Sequence, residues 1–321
     1  VNHQESFSQE LISNTNFADL TGWTLHSVGT GSGLNDDTRT DDESKSYELR
    51  SIGGSYNAHI KTIIAADQVK AGSYRLSFYI KNIGVSTAKI RPRHKQLVEI
   101  NLDPYLTSTS DWEFVEYTFT LIADEIVELK FFNNTNTDGT DLAVSRHFLI
   151  DDVSLRLIAE WTGDTNSDWH TDANWSPEKG EPDDPSDNVI IPSGLTNYPT
   201  ASSSVTVNSV TMESGSSLIA NSTFSGDITY KRNLRTANWY LVSSPVVGQT
   251  YDDTFVTANG IASGTGNNRG IAPYLTNSDT WNYMQAGGSA TFSSGKGYAV
   301  KRTSTGDISF TGTMEVNDNG V

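Results

Sequence analysis

The sequence predicts an all-β protein, and three observations carry this prediction. Runs rich in β-branched and aromatic residues recur along the 321 residues, such as SYELRSI, AHIKTII, SYRLSFYIK, WEFVEYTFTLI and FLIDDVSLRL. Clusters of Gly, Asn, Asp, Ser and Thr separate these runs, as turns separate strands. Helical periodicity is nearly absent. Regular short strands with turn signals indicate a β-sandwich or a barrel.

Changes in composition divide the chain into three parts. The long strand-like runs end near Ile158, which predicts a first domain over residues 1–158. Residues 159–232 form a segment rich in Trp and Pro. Its short β segments, about ten residues apart, indicate either tight hairpins or a short solenoid-like stack. Residues 233–321 predict a further β-rich module. We expect the chain to be a fragment of a longer protein.

Charge and composition exclude several classes of function. The net charge of −17 argues against binding nucleic acid or an anionic membrane surface. No run of eighteen apolar residues is present, so no transmembrane helix is predicted. The absence of cysteine excludes disulfides, thiolate catalysis and Cys-ligated zinc. The many acids are instead available as oxygen ligands for calcium.

The strand-like stretch HFLIDDVSLRL, residues 147–157, contains two adjacent acids. Neighbouring residues of a strand point to opposite faces, so one of the two should face the core. A buried carboxylate is costly unless it is paired or bound to a metal. The strand pattern leaves open which of Asp151 and Asp152 this is. The alternative is that one acid is solvated and the other accepts backbone hydrogen bonds at a β-bulge.

Four motifs occur in order in the first domain: ISNTNFADLTGWTL, GSYRLSFYIKN, SDWEFVEYTFTL and FLIDDVSL. This set resembles the jelly-roll carbohydrate-binding modules of families 4, 9 and 22. The resemblance implies a jelly-roll β-sandwich that binds polysaccharide, with a structural calcium ion where the first and last strands meet. The implied ligands are Asp152, taken as the inward member of the pair, and then Asp151, Asn14, Asn16 and Asp19. The family's usual Glu after the Phe is replaced here by Ala18.

Residues 160–321 resemble modules of large secreted and cell-surface proteins of the Bacteroidetes. The matching stretches are WTGDTNSDWHTDANW, PSDNVIIPSG, ITYKRNL, NWYLVSSPV and FSSGKGYAVKRT. The resemblance implies a secreted or cell-surface location, and export through the type IX secretion machinery.

Sugar modules of this fold bind glycans in a groove on one sheet. The alternation in RLSFYIK turns Leu76, Phe78 and Ile80 towards the core and leaves Tyr79 exposed. Arg91 and Arg93 share a face and suit an acidic polysaccharide, because guanidinium pairs well with carboxylate or sulfate. The alternative is that these residues are surface decoration, or pair with the many acids. The further candidates for contact with the glycan are Tyr56, His59, Phe132 and His147.

No enzyme motif is recognised. The stretch GGSATFSSGKGYA departs from a phosphate-binding loop at Ala290 and Gly297. We therefore expect a non-catalytic polysaccharide-binding module with structural calcium, while a catalytic domain could exist elsewhere in a longer protein. The alternative is a cell-surface adhesin, a structural spacer or a secretion-system cargo that binds no sugar.

Overall fold

A computed structural model of the chain separates into two compact units, Gln9–Ile158 and Ala159–Val321, the latter together with Val1–Ser8. The structure describes residues 7, 9–26, 28, 31–38, 45–51, 59–65, 68–83, 89–95, 99–101, 106–107, 111–122, 126–133 and 146–314. At residues 51, 89–95, 99–101, 106–107, 132–133 and 146–147 only the backbone is considered. We call the two units the first and the second unit, in chain order.

The first unit is built from eleven strands in the described residues. They are β1 Trp23–His26, β2 Gly33–Asn35, β3 Ser46–Ser51, β4 His59–Ile64, β5 Gly72–Asn82, β6 Lys89–Lys95, β7 Glu99–Asn101, β8 Leu106–Thr107, β9 Glu113–Leu121, β10 Val127–Asn133 and β11 Arg146–Trp161. Strand β11 runs three residues past the boundary of the unit.

Two antiparallel sheets make up this unit. The first sheet has the order β1-β4-β10-β6-β7, with β8 paired to β6. In the second sheet β2 pairs with β3, β3 and β5 pair with β11, and β9 pairs with β5. The rings of Phe78 on β5 and Phe131 on β10 meet edge to face, with centroids 4.9 Å apart, between the two sheets. The unit is the jelly-roll β-sandwich that the sequence predicts.

The alternation read from RLSFYIK is confirmed. Leu76, Phe78 and Ile80 are fully buried, whereas Tyr79 is half-buried on the opposite side. On the first sheet, Ile60 and Phe131 occupy the same core by the same rule. Each sheet therefore has one apolar face towards the core and one polar face away from it.

The second unit contains strands β12–β25 in the described part of the chain. They are β12 Trp175–Ser176, β13 Asn188–Ile191, β14 Thr200–Ala201, β15 Val205–Met212, β16 Ile219–Ala220, β17 Phe224–Leu234, β18 Trp239–Val242, β19 Val246–Val247, β20 Thr250–Tyr251, β21 Ile271–Leu275, β22 Thr280–Trp281, β23 Ala290–Thr291, β24 Tyr298–Lys301 and β25 Gly306–Met314. One helix, α1, spans Asp253–Ala258.

The first half of this unit is a short solenoid-like stack. Strands β13, β15 and β17 pair in parallel, and β14 pairs in parallel with β16 in a second ladder. Successive passes of the chain therefore add one strand to each ladder. Of the two interpretations of the ten-residue spacing, the stack is correct and the hairpins are wrong.

Three tryptophans hold the beginning of this unit. Trp161, Trp169 and Trp175 are buried and meet edge to face, with centroids 5.0 and 4.7 Å apart. Each indole N–H donates to a backbone carbonyl, so burial leaves no indole donor unsatisfied. The buried Asn174 accepts from the N–H groups of Thr165 and Asn166, which closes the Trp-anchored turn.

The second half places β18, β24, β21 and β22 in one four-stranded sheet. Strand β25 pairs along seven positions with β17, so the described residues of the predicted module 233–321 continue the sheet of the stack and are not a separate body. No helix in the described residues is long and apolar enough to cross a membrane.

Candidate functional site

The polar face of the first sheet carries a cluster of charged side chains. Lys61 on β4 and Lys130 on β10 lie directly opposite each other and share that face. Both ammonium groups reach the carboxylate of Glu128, with N–O distances of 2.6 Å from Lys61 and 2.9 Å from Lys130. We call this face, with the residues that share it, the basic face.

The cluster is partly covered, which strengthens its electrostatics. Side-chain exposure is 25% for Lys61, 15% for Lys130 and 17% for Glu128. Burial alone would raise the pKa of Glu128, but the hydrogen bonds and charges of the two lysines outweigh it and hold that pKa below its ordinary value. Glu128 is therefore ionised at neutral pH, and the three side chains together carry one net positive charge.

Histidines continue the basic face at the start of β4. His26 and His59 are opposite each other on β1 and β4, and their rings stack with centroids 4.8 Å apart. His59 is 8% exposed, whereas His26 is exposed. The pair thus presents one imidazole ring to solvent beside the charged cluster.

The backbone register brings three predicted residues to the same face. Phe132 lies opposite His59 on one side and Arg91 on the other, and Arg93 lies opposite Lys130. Directly opposed residues of an antiparallel ladder share a face. The register therefore aligns two cross-strand rows. One row consists of Lys61, Lys130 and Arg93, and the other consists of His59, Phe132 and Arg91.

The remaining predicted glycan contacts do not join this face. Tyr79 is on the second sheet, where its ring lies 5.0 Å from that of Phe114. His147 is also in the second sheet, opposite Arg50. Tyr56 is outside the described residues. The expectation of one groove was wrong for Tyr79 and His147, because alternation predicts the face of a strand but not the sheet that it joins.

The opening segment and the closing strand are adjacent. Val153 N–H donates to the Thr15 carbonyl at 2.8 Å, and Leu11 N–H donates to the Leu155 carbonyl at 3.1 Å. Further along, Leu155 N–H donates to the Glu10 carboxylate at 2.9 Å. These contacts bring the two halves of the predicted calcium site together.

The prediction that Asp152 faces inward is wrong. Asp151 is completely buried, and Asp152 is half-exposed with φ of 49°. The pairing of β11 with β5 shifts register between Asp151 and Ser154. Asp151 Oδ1 accepts from the N–H of Asp152 at 2.8 Å. A β-bulge with one residue in the left-handed region therefore breaks the alternation. The hydrogen bond from Asp152 N–H agrees with the alternative, in which one acid accepts a backbone hydrogen bond at a bulge.

The asparagine and aspartate of the opening loop are engaged with each other. Asn14 Nδ2 donates to the carbonyl and Oδ1 of Asp19, at 2.8 and 3.1 Å, and Asn14 Oδ1 accepts from Ala18 N–H. Hydrogen bonds from the backbone and side chain of Thr21 hold the pKa of Asp19 below its ordinary value. Asn16 uses its carbonyl to accept from Lys45 N–H. These groups stabilise the loop itself.

The donor set fits calcium only in part. The described residues contain no group of three or more His, Cys, Asp or Glu side chains that could hold a metal ion. A calcium site here would depend on the buried carboxylate of Asp151 together with carbonyl oxygens of the opening loop. Calcium binding stays a prediction.

One chain of hydrogen bonds in the second unit has the atom order of a serine hydrolase. Ser203 Oγ lies 2.9 Å from His170 Nε2, and His170 Nδ1 contacts Glu181. The backbone N–H of Ser203 also points to that Nε2, at 3.3 Å. The imidazole nitrogen that would take a proton from the hydroxyl is thus shared with a backbone donor. We interpret the chain as a structural link between the Trp-anchored turn and the solenoid.

No protein-family model matches the chain, and no curated protein matches it. The chain is similar to the CBM22-1 xylan-binding domain of Paenibacillus barcinonensis Xyn10C, at 14% identity over 48% of this chain and 97% of that domain, with a TM-score of 0.37. A second similar structure is TmCBM61 in complex with β-1,4-galactotriose, at 12% identity over 46% of this chain and 99% of that one, with a TM-score of 0.35. A third is the enzymatically active domain of tailspike protein 4 of bacteriophage CBA120, at 18% identity over 46% of this chain and 21% of that one, with a TM-score of 0.35.

Proposed function

We propose that the first unit binds a polysaccharide on the basic face, and that acidic polysaccharides are its preferred class. The observation that carries this proposal is the cross-strand row of Lys61, Lys130 and Arg93. Its concentration of positive charge stands out in a chain with a net charge of −17. A regular row of cations complements a polymer that carries a carboxylate or sulfate on successive sugars.

The neighbouring row supplies the other contact that a sugar ring needs. The exposed His26 ring, stacked on His59, offers a flat face beside the charges. Flat rings pack against the C–H faces of a pyranose, whereas cations bind its substituents. The proposed role is non-catalytic binding within an exported or cell-surface protein. The resemblance of residues 160–321 to type IX secretion modules supports that location.

The test is affinity electrophoresis of the whole chain in gels that contain polygalacturonate, alginate, xylan or galactan. We expect retardation by the acidic polymers, and less retardation as ionic strength rises. Lys130→Ala removes a cation from the basic face and should reduce the retardation. Lys231→Ala is the matched control, because Lys231 also pairs with one glutamate, Glu213, at 2.8 Å.

Absence of retardation in every gel would contradict the proposal and favour the adhesin or spacer. Equal effects of the two lysine variants would also contradict it, since binding would then follow the overall charge of the chain. Stronger retardation by xylan or galactan than by the acidic polymers would overturn the preferred class.

A further inference from the structure

A cavity of about 330 Å³ opens on the second unit, between the four-stranded sheet and the loop 262–270. Trp239 and Tyr283 line it, with exposures of 46% and 36% and ring centroids 5.8 Å apart. This volume falls at the lower end of the range of ligand pockets, about 300–1,000 Å³. It accommodates a small ligand or one or two units of a polymer.

The polar groups of the cavity are available to a ligand. Ser263, Thr265 and Lys301 line it, and their side chains make no hydrogen bond or salt bridge to any described residue. Arg269 also lines it and lies 3.6 Å from Asp253. The lining contains two cations and no acid. In an acidic protein this lining selects for a negative charge on the ligand.

The aromatic ring and the free ammonium are held side by side. Trp239 on β18 is directly opposite Lys301 on β24, so the two side chains share a face. Neighbouring strands lie about 4.8 Å apart. A sugar ring packed on the indole would therefore bring a substituent within reach of the ammonium. A pyranose that carries a carboxylate or sulfate fits this pair.

The wall of the cavity is preformed. Ala262 N–H donates to the Lys301 carbonyl and Lys301 N–H donates to the Gly270 carbonyl, at 2.9 and 2.8 Å. A Cβ on Gly270 would lie 2.6 Å from the Lys301 carbonyl oxygen, so glycine is needed for this close approach. Asn268 is held by Gln285. A rigid wall lowers the entropic cost of binding.

From these observations we infer that the second unit has its own saccharide site, which binds an acidic pyranose against the Trp239 ring, with Tyr283 beside it and Lys301 as the charge partner. The site involves no residue of the basic face, so it does not depend on the proposed function of the first unit. Together with the proposed site on the basic face, it would give the chain two polysaccharide-binding sites.

The experiment titrates the whole chain with a galacturonic acid trisaccharide and with the uncharged galactose trisaccharide, followed by tryptophan fluorescence and calorimetry. We expect Trp239→Ala to weaken binding of the acidic trisaccharide about tenfold or more, as loss of a central aromatic contact does. Trp281→Ala is the matched control. Trp281 is 41% exposed on the same sheet, packs on Tyr274 and does not line the cavity.

Lys301→Met tests the charge partner, because it keeps the length of the side chain and removes the ammonium. We expect it to abolish the preference for the acidic over the uncharged trisaccharide. Lys130→Ala separates the two sites. Binding at the cavity should survive this variant, whether or not the basic face binds sugar.

Three results would overturn the inference. One is the absence of binding of either trisaccharide at millimolar concentration. Another is equal weakening by Trp239→Ala and Trp281→Ala. The third is an unchanged acidic preference in Lys301→Met.

Discussion

Replacement of Glu128 by glutamine should change stability and binding in opposite directions. In the folded chain Glu128 accepts two charge-assisted hydrogen bonds, at 2.6 and 2.9 Å, from lysines that remain partly exposed. Such bonds contribute about 1.5–3 kcal/mol each when well covered, and less when solvent screens them. We therefore expect Glu128→Gln to lower the free energy of unfolding by about 2 kcal/mol at pH 7.

The pH dependence of this loss follows from the lowered pKa of Glu128. The carboxyl of an unfolded chain titrates near pH 4.3, as for free Glu. A group with a lowered folded pKa stabilises the protein above its unfolded pKa, and this stabilisation disappears as the pH falls through the folded pKa. The difference between wild type and Glu128→Gln should therefore be full at pH 7 and should shrink as the pH falls below the unfolded pKa of about 4.3.

Urea unfolding of both proteins across this pH range measures the effect. Glu116→Gln is the control, because Glu116 pairs with Arg75 at a more exposed position, with 43% of its side chain accessible. It should cost less than about 0.5 kcal/mol. The same variant of Glu128 removes the anion that pairs with both lysines and should strengthen binding of polygalacturonate by up to about fivefold. A loss of stability equal at pH 7 and pH 3, or weaker binding, would refute the reasoning.

Three further predictions test other parts of the fold. Removal of calcium with EDTA should lower the melting temperature of the wild type but not that of Asp151→Asn. If EDTA leaves the melting temperature of the wild type unchanged and elemental analysis finds no calcium, the ion is excluded. Tyr47 is fully buried, burial raises the pKa of its hydroxyl to about 12, and that hydroxyl has no hydrogen-bond partner among the described residues. Tyr47→Phe should thus leave the free energy of unfolding unchanged or raise it by up to about 1 kcal/mol in the urea assay. Tyr74→Phe is the control, because it loses hydrogen bonds of 2.8 and 2.9 Å to the backbone of Lys70. It should lower the free energy of unfolding by about 1–2 kcal/mol. Gly226→Ala should lower the free energy of unfolding by about 2–4 kcal/mol, because the new Cβ would lie 2.6 Å from the Val207 carbonyl oxygen. Gly215 is also at positive φ but in open space, so Gly215→Ala should lower it by about 1–2 kcal/mol through backbone strain alone. Similar losses of stability for the two variants in thermal melting would contradict the role of the close approach at Gly226.

Local patterns predicted much of the first unit. The alternation of Leu76, Phe78 and Ile80 depends only on the two-residue period of a strand, and these side chains are buried as expected. The same rule failed at Asp151 and Asp152. A bulge between Asp151 and Ser154 shifts the register, and Asp151 is the acid that becomes buried; the adjacent acids suggested a bulge as an alternative but did not show which acid it would bury.

Local patterns predicted only some of the residues in the candidate sites. Arg91 and Arg93 were chosen because they share a face of one strand, and the register does align them with Lys130 and Phe132. Lys61 and Glu128 were missed, since charged residues on a strand have no distinctive signal. Trp239 was also missed, because the run WYLV is apolar throughout and does not show which of its side chains is exposed.

The sequence by itself determined the all-β class, the turns between the strands, the inward face of the regular strands and the charge that disfavours nucleic acid. These properties depend on residues that are close in the chain. Only the tertiary structure decided that the short β segments pair in parallel and that Tyr79 and Arg93 belong to different sheets. It also decided that Asp151 is the buried acid and that Trp239 lies opposite Lys301 on neighbouring strands. Each of these depends on the register between distant strands, which is selected by the packing of the whole core and not by any one segment.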